Sequence, residues 1–398
     1  MAKPSIAILE SASGNPQLSR EVSFVRGGPF YRIQEAIRLL TPEHWNLGRR
    51  ILLAIAIGWV PVVLLTLFSK PDTIGGLLRD YTVNVRMLIA VPILLLGQVV
   101  MDNVFRTIIH HLGEAELLPS PEQVKMDRTI GRLIRFRDSF VAEALIVVIA
   151  YLSVAAMVGA RISTAQDWAL GDLGQHLSSA GWYYALVSQL LFRFLVGLSL
   201  WKWVLWICFL FRLSQLDLEL IPTHPDQHGG IGFLGMSPLA IAPTIFVISG
   251  AIGSTWRTQI LDHGAHLMNF KIDAIVLLVF MLIIAMGPLV LFIPKLGILH
   301  RQGILQYGTL GQLHSVDFHK KWVLNRKGHE EEFLTAPEIS TLTDYASSYE
   351  NVEKLQPFPL DRGATVTLIL AIALPLFPVV LAEIPFIEVA KRLMEAFK

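Results

Sequence analysis

The chain has 398 residues, 53% apolar and only 16% charged, where an average soluble domain carries about 25% charge. Its 33 Lys+Arg and 32 Asp+Glu leave a formal net charge of +1, and mean hydropathy is +0.53. These values exclude a disordered chain, a nucleic-acid binder driven by net charge and an ordinary soluble enzyme, and they favour an all-α, polytopic membrane bundle. The single cysteine, Cys208, rules out an intramolecular disulfide, a cysteine zinc site and a Cys-x-x-Cys motif. Its apolar surroundings predict a buried, inert thiol. No secretory signal is visible before residue 49, where Arg20, Arg26, Arg32 and Arg38 occur without an apolar core.

A hydrocarbon core about 30 Å thick needs roughly 20 apolar residues in a helix. In chain order, Ile51–Phe68, Met87–Met101 (extendable to Asn84–Phe105), Phe140–Ala160, Trp182–Leu213, Pro238–Trp256, Ala274–Ile293 and Ala364–Ile384 meet or approach that length. Seven crossings are expected. Trp182–Leu213 is too long for one simple span and too short for two, so it reads as one helix that projects beyond the bilayer. Trp182, Tyr183 and Tyr184 mark one interface; Trp201, Trp203 and Trp206 mark the other, with Lys202 snorkelling. With the N-terminus inside, Lys and Arg divide 22 inside to 9 outside, and Arg193 and Lys202 lie within the fourth span. The positive-inside rule then predicts a cytoplasmic N-terminus. Residues 1–48 read as a cytoplasmic segment. Residues 49–298 read as six spans with a helical connection at 102–138. Residues 299–362 read as a cytoplasmic amphipathic region, and 363–398 as the last span with an amphipathic tail, Phe386–Lys398.

Ser120-Pro121-Glu122-Gln123 predicts a helix start with Ser at the N-cap. No breaker follows before Gly159, so one helix of roughly 40 residues should run into the third span. Lys125, Arg128, Arg132 and Arg135 share one face of it, as a solvated stripe or as a site for anionic lipid headgroups. Thr335-Ala336-Pro337-Glu338 is a second helix start. Ile339, Leu342, Tyr345, Tyr349 and Val352 then recur at helical spacing until Pro357 and Pro359. With a helical Tyr307–Leu324, this suggests an amphipathic pair able to dock a cytoplasmic protein partner. No inverted repeat of the kind that marks many transporters is present.

The most unusual stretch is Ile221-Pro222-Thr223-His224-Pro225-Asp226-Gln227-His228-Gly229-Gly230-Ile231-Gly232-Phe233-Leu234-Gly235. His224, Asp226 and His228 alternate and would share a side of an extended backbone, as ligands for a divalent metal or as a proton site. Gly229, Gly230 and Gly232 allow positive φ, and glycines opening a helix can present N–H groups to an anion. A tight turn whose His and Asp cap backbone groups is the simpler reading. The embedded Gly-x-Gly-x-x-Gly is not a dinucleotide fingerprint, because no strand precedes it and Thr255-Trp256 stands where an acid should.

This block, with Gly28-Pro29-Phe30-Tyr31-Arg32, Trp59-Val60-Pro61, Arg135-Phe136-Arg137-Asp138-Ser139, Tyr307-Gly308, Asp317-Phe318, Lys321-Trp322 and Pro337–Tyr345, resembles an uncharacterised family of bacterial multi-spanning membrane proteins. The resemblance implies a bacterial inner-membrane location and brings no reaction or cofactor. Where that pattern has Asp-Ile-Gln-Ser-Leu-Ala-Asp, this chain has Glu338–Asp344, so the carboxamide is missing and Asp344 remains.

Ionisable residues inside spans are functional candidates by default. Arg193 lies near mid-membrane, and Glu143 about one turn inside the third span. They are candidates for binding or gating, as a pair or separately; Glu143 could equally pair with Arg135 or Arg137. Asp262-His263-Gly264-Ala265-His266 reads as an exposed loop or a second, weaker metal candidate. Pro61, Pro92, Pro243, Pro288, Pro375 and Pro378 interrupt five spans. No Walker A motif, kinase set or Gly-x-Ser-x-Gly occurs. Three functions are consistent: a transport or channel-like protein, which is favoured; a metal-dependent membrane enzyme using His224, Asp226 and His228; and a scaffold docking through 299–362.

Overall fold

A computed structural model describes residues 22–41, 44–161, 166–171, 176–324 and 337–383. The fold is an all-α helical bundle, with no strand among the described residues beyond an isolated bridge, Leu170–Leu177. The main helices are α1 (Pro29–Ala36), α2 (Leu47–Ser69), α3 (Tyr81–Glu114), α4 (Ser120–Arg137), α5 (Phe140–Arg161), α6 (Ser179–Gln215), α7 (Gly232–Asp262), α8 (Leu267–Leu324), α9 (Pro337–Glu353) and α10 (Arg362–Glu383). Six are long and apolar enough to cross a membrane: α2, α3, α6, α7, α8 and α10. A seventh appears if α4 and α5 count as one bent span. The expected tail Phe386–Lys398 and residues 335 and 336 of the second helix start lie outside the described residues.

Burial ranks the spans. The apolar windows of α3, α6 and α7 are 50%, 50% and 61% buried, against 17% for α2 and 28% for α10, so the first three form the centre. Helix α5 packs on α6 and leaves Leu145, Val148, Ile149 and Leu152 exposed. α6 is a single 37-residue helix, as its sequence indicated. Its outward stripe is Val204, Cys208 and Phe211, so Cys208 is exposed rather than buried. Trp203 and Trp206 do not form an interfacial belt. They lie in the core, where Trp206 stacks on Phe105 at 4.1 Å and on Phe209 at 4.8 Å.

The prolines show how peripheral helices attach to α6. A proline lacks the N–H that would bond the carbonyl four residues back. Pro61 frees the Ile57 carbonyl, which accepts the Tyr183 hydroxyl at 2.9 Å, while the Gly58 carbonyl accepts Ser188 Oγ at 2.5 Å. Pro288 frees the Ile284 carbonyl, which accepts Trp203 Nε1–H at 3.1 Å. The helix tightens to 3₁₀ geometry over Gly287–Phe292 at that point.

Two expectations change. The long helix after Ser120 breaks, and α4 and α5 meet at 46°. Asp138 sits at the break, bonded to Arg137, to Arg32 and to the Gly28 N–H, and these tertiary contacts hold the corner. The Ser120 capping box does not form either, because Pro119 takes the N-cap position. Beyond the bundle, α8 continues as a 58-residue helix and α9 packs along it. A Cβ at Gly303 would come within 2.8 Å of Pro222 and 2.9 Å of Val352, so glycine sets that approach.

Trp203→Phe should keep an aromatic ring in the core but remove the N–H and strand the Ile284 carbonyl, lowering unfolding stability by roughly 1–3 kcal/mol beyond the cost of the smaller ring. Pro288→Ala restores an intrahelical donor for that carbonyl. Thermal unfolding of both single variants and the double variant should therefore show that Trp203→Phe costs less once Pro288 is gone. An undiminished cost would refute the assignment.

Candidate functional site

At the end of the bundle where α3, α4 and α6 meet, residues 22–36 form a strap held by acidic side chains. Ser23 Oγ accepts the Val25 and Arg26 N–H groups at 3.0 and 2.7 Å and donates to Asp102 Oδ1 at 2.5 Å. Arg26 Nε meets Asp102 Oδ2 at 2.9 Å. Arg137 Nη1 donates to the Ser23 carbonyl at 2.5 Å. The Gly28 N–H donates to Asp138 Oδ1 at 2.9 Å, and the Phe30 N–H donates to Glu143 Oε2 at 2.7 Å. Glu143 thus closes the first turn of α1, where a negative charge is favoured. Gly28 has φ 90, and a Cβ there would collide with the Glu143 carboxylate. Phe24 and Val25 are fully buried in the main core.

The cations beneath the strap are less well matched. Arg50 is 2% exposed. Its Nε and Nη2 donate to Gln34 and Gln98 at 2.8 and 2.7 Å, but Nη1 has no partner, and neither has Gln98 Nε2. Trp45 lies between Arg26 and Arg50, 5.0 and 5.4 Å from their guanidinium carbons. Lys202 is 7% exposed and makes no hydrogen bond or ion pair among the described residues. It faces Arg50, Glu143, Asp102 and Arg137 at longer range. It therefore does not snorkel. Arg26, Arg32, Arg50, Arg137 and Lys202 stand against Glu35, Asp102, Asp138 and Glu143, five cations to four carboxylates, with Arg106 at the rim. Burying a charge without a partner is costly.

The His224–Gly235 turn is built differently. Asp226 accepts the N–H groups of His228 at 2.8 Å, Gly230 at 3.1 Å and Gly232 at 2.8 Å, and His224 Nδ1 lies 2.7 Å from its Oδ1. Gly229 and Gly230 take φ +65 and +98 to make this possible. Of the glycine N–H groups considered for an outside anion, those of Gly230 and Gly232 are thus taken by an internal carboxylate. His228 Nδ1 and Nε2 lie 2.6 and 3.0 Å from the carbonyls of Asp226 and Phe358, so both ring nitrogens are engaged. No group of three His, Cys, Asp or Glu side chains among the described residues could hold a metal ion. In this turn His224, Asp226 and His228 are turned to one another and to backbone groups, and do not converge on a common point. The turn works as a joint: Gln356 N–H donates to the Gln227 carbonyl at 2.8 Å and Asn351 Nδ2 to the Thr223 carbonyl at 3.3 Å, which ties α9 and the approach to α10 to the bundle.

Arg193 and Glu143 do not meet. Arg193 Nη1 donates to Ser153 Oγ at 2.6 Å and links α6 to α5. It borders a shallow crevice of about 200 Å³ with Phe192, Val196, Ile248, Ala251 and Ile252. In the weaker loop candidate, Gly264 ends α7 with φ 66, and His266 pairs with Glu383 at 3.3 Å. Arg50 and Asp102 were absent from the sequence-based candidates, and Lys202 was placed within the fourth span as a snorkelling side chain. The available signal was spacing: Gln98 and Asp102 lie four apart, and Ser199 and Lys202 three apart, each pair on one face of an apolar helix. No family model, curated protein or solved structure matches the chain.

Burial pushes the Asp226 carboxyl up, but the N–H groups of His228, Gly232 and Gly230 and the His224 ring outweigh it and hold it below the usual carboxylate range. A depressed folded value gives stability that is present above the unfolded value and lost as pH falls through the folded one. Asp226→Asn should therefore lower stability by roughly 1–3 kcal/mol at pH 7. The gap from wild type should persist through mildly acidic pH and close only below the ordinary carboxylate range. Thermal unfolding against pH, with amide exchange at His228, Gly230 and Gly232, checks this.

Proposed function

We propose that this multi-pass membrane protein binds an anionic solute at Lys202 and Arg50 and moves it across the bilayer, with the Lys/Arg-rich end on the cytoplasmic side of a bacterial inner membrane. The observation that supports this reading is the buried Lys202, which has no hydrogen bond or ion pair among the described residues, in a cluster with more cations than carboxylates. The bundle's own acids hold the strap, so a ligand carrying negative charge is the missing counter-ion. The metal-enzyme alternative is weaker, because the turn engages its own ligating atoms.

Reconstituted protein should take up at least one of inorganic phosphate, acetate or chloride into proteoliposomes. Lys202→Met should cut that uptake at least tenfold while the protein stays folded. Arg193→Leu should leave most of it, since Arg193 joins α6 to α5 outside the cluster. Absence of uptake by wild type, or equal uptake by Lys202→Met, would sink the reading.

A second part of the proposal concerns α4. Lys125, Arg128, Arg132 and Arg135 are all exposed, opposite the buried Met126, Ile130 and Leu133, although Lys125 also meets Glu122 at 2.6 Å. Phe136 and Phe140 are exposed at the bend. This arrangement suits a helix lying at the headgroups of anionic lipid, where each basic side chain contributes about 1 kcal/mol. Changing all four to Gln should abolish preferential retention of phosphatidylglycerol over phosphatidylcholine in native mass spectrometry. An unchanged preference would remove this role.

A further inference from the structure

A second polar cluster lies toward the opposite end of the bundle. Helix α3 widens to π geometry over Val85–Ala90, and α6 does so over Tyr184–Ser188. Single π turns interrupt the regular ladder and recur at functional sites. Here each carries a polar side chain inward, and the two are neighbours: the Arg86 guanidinium faces the Tyr184 hydroxyl. Gln189 Nε2 donates to that same hydroxyl at 2.7 Å. The hydroxyl accepts from Gln189, so its own proton is left to donate.

Arg86 is 8% exposed, its Nε has no partner, and it makes no ion pair among the described residues. The surrounding polar groups are matched. Asp80 accepts the Val83 N–H at 3.2 Å and Trp168 Nε1–H at 3.1 Å, and Asn84 accepts Trp59 Nε1–H at 2.9 Å. Asp80 is the carboxylate that faces Arg86, and it offsets the charge without meeting the guanidinium's hydrogen-bond demand. A buried guanidinium left with an unfilled donor is costly, and its planar fork suits paired oxygens.

We infer that Arg86, Tyr184 and Gln189 form a second ligand site, for an oxyanion of the carboxylate or phosphate class, separate from the Lys202 cluster. Lys202 lies 18 residues further along α6 than Tyr184, about 27 Å by helix rise. One ion therefore cannot bridge the two sites, and each can be tested without the other.

The test is calorimetric titration of the purified full chain with inorganic phosphate, using Lys202→Met to silence the first site. Lys202→Met protein should retain a phosphate-binding event. Adding Tyr184→Phe should weaken that event about tenfold, and adding Arg86→Gln should abolish it. Tyr184→Phe keeps the ring, so it remains informative if Arg86→Gln fails to fold. The inference is overturned if Lys202→Met protein binds no phosphate, or if its binding is the same with and without Tyr184→Phe. Binding that Lys202→Met leaves untouched and the Arg86 and Tyr184 changes remove would instead overturn the Lys202 reading alone.

Discussion

In an apolar bundle, a backbone carbonyl that loses its helical donor has no water to turn to, and a neighbouring helix must supply the proton. Pro61 and Pro288 create two such carbonyls, and α6 satisfies both, through Tyr183 and Trp203. These donors lie 20 residues apart on one helix, about 30 Å by helix rise and close to the depth of a bilayer core. Helices α2 and α8 are therefore fixed to α6 at opposite depths. The prolines act here as attachment points, because each exposes an acceptor that a side chain of α6 fills.

The same rule accounts for the acids and, by contrast, for the cations. Asp102, Asp138 and Glu143 each accept from the strap, and Asp226 accepts from its own turn. Asp138, Glu143 and Asp226 replace water for backbone N–H groups that would otherwise be orphaned, while Asp102 takes the Ser23 hydroxyl and the Arg26 guanidinium. Once those carboxylates are committed, Lys202 and one Arg50 nitrogen have no hydrogen-bond partner among the described residues. The charge imbalance is thus a consequence of how residues 22–36 are held down. A chain with near-zero net charge can still carry a local excess of positive charge where it is least solvated.

The spans were legible because hydropathy and length are properties of a continuous stretch. Helix α6 was readable as one element, and α9 by the recurrence of Tyr345, Tyr349 and Val352, which now face α8. The bend at Asp138 was not legible, since Gly28 and Arg32, more than 100 residues away in sequence, hold it. Trp203 and Trp206 fit an interfacial belt as well as a core, and only the Ile284 carbonyl and the Phe105 ring distinguish the two. Lys202 was hidden for a related reason: α6 is apolar nearly all round, so its sequence does not show which face points inward. In the His224–Gly235 turn, the need for glycine was visible. Whether Asp226 would face a metal or its own backbone was not, because both use the same carboxylate.

The two cation sites lie about 27 Å apart along α6, and buried apolar side chains fill the layer between them. Phe192, Leu195 and Leu198 are buried there, and Ser199 returns its hydroxyl to the Leu195 carbonyl. An ion passing from one site to the other requires this layer to part. The places where the central helices depart from regular geometry are well disposed for that. The π turns of α3 and α6 lie beside Arg86 and Tyr184, and the 3₁₀ segment Gly232–Ala240 of α7 packs against α3 near the other end. A ladder already out of register can shift by one bond without breaking a full helical turn, which costs less than unwinding a regular helix in lipid. Because α6 also holds α2 and α8 through Tyr183 and Trp203, a shift in its register would carry both peripheral helices with it, and local rearrangement at either cation site would be felt across the bundle.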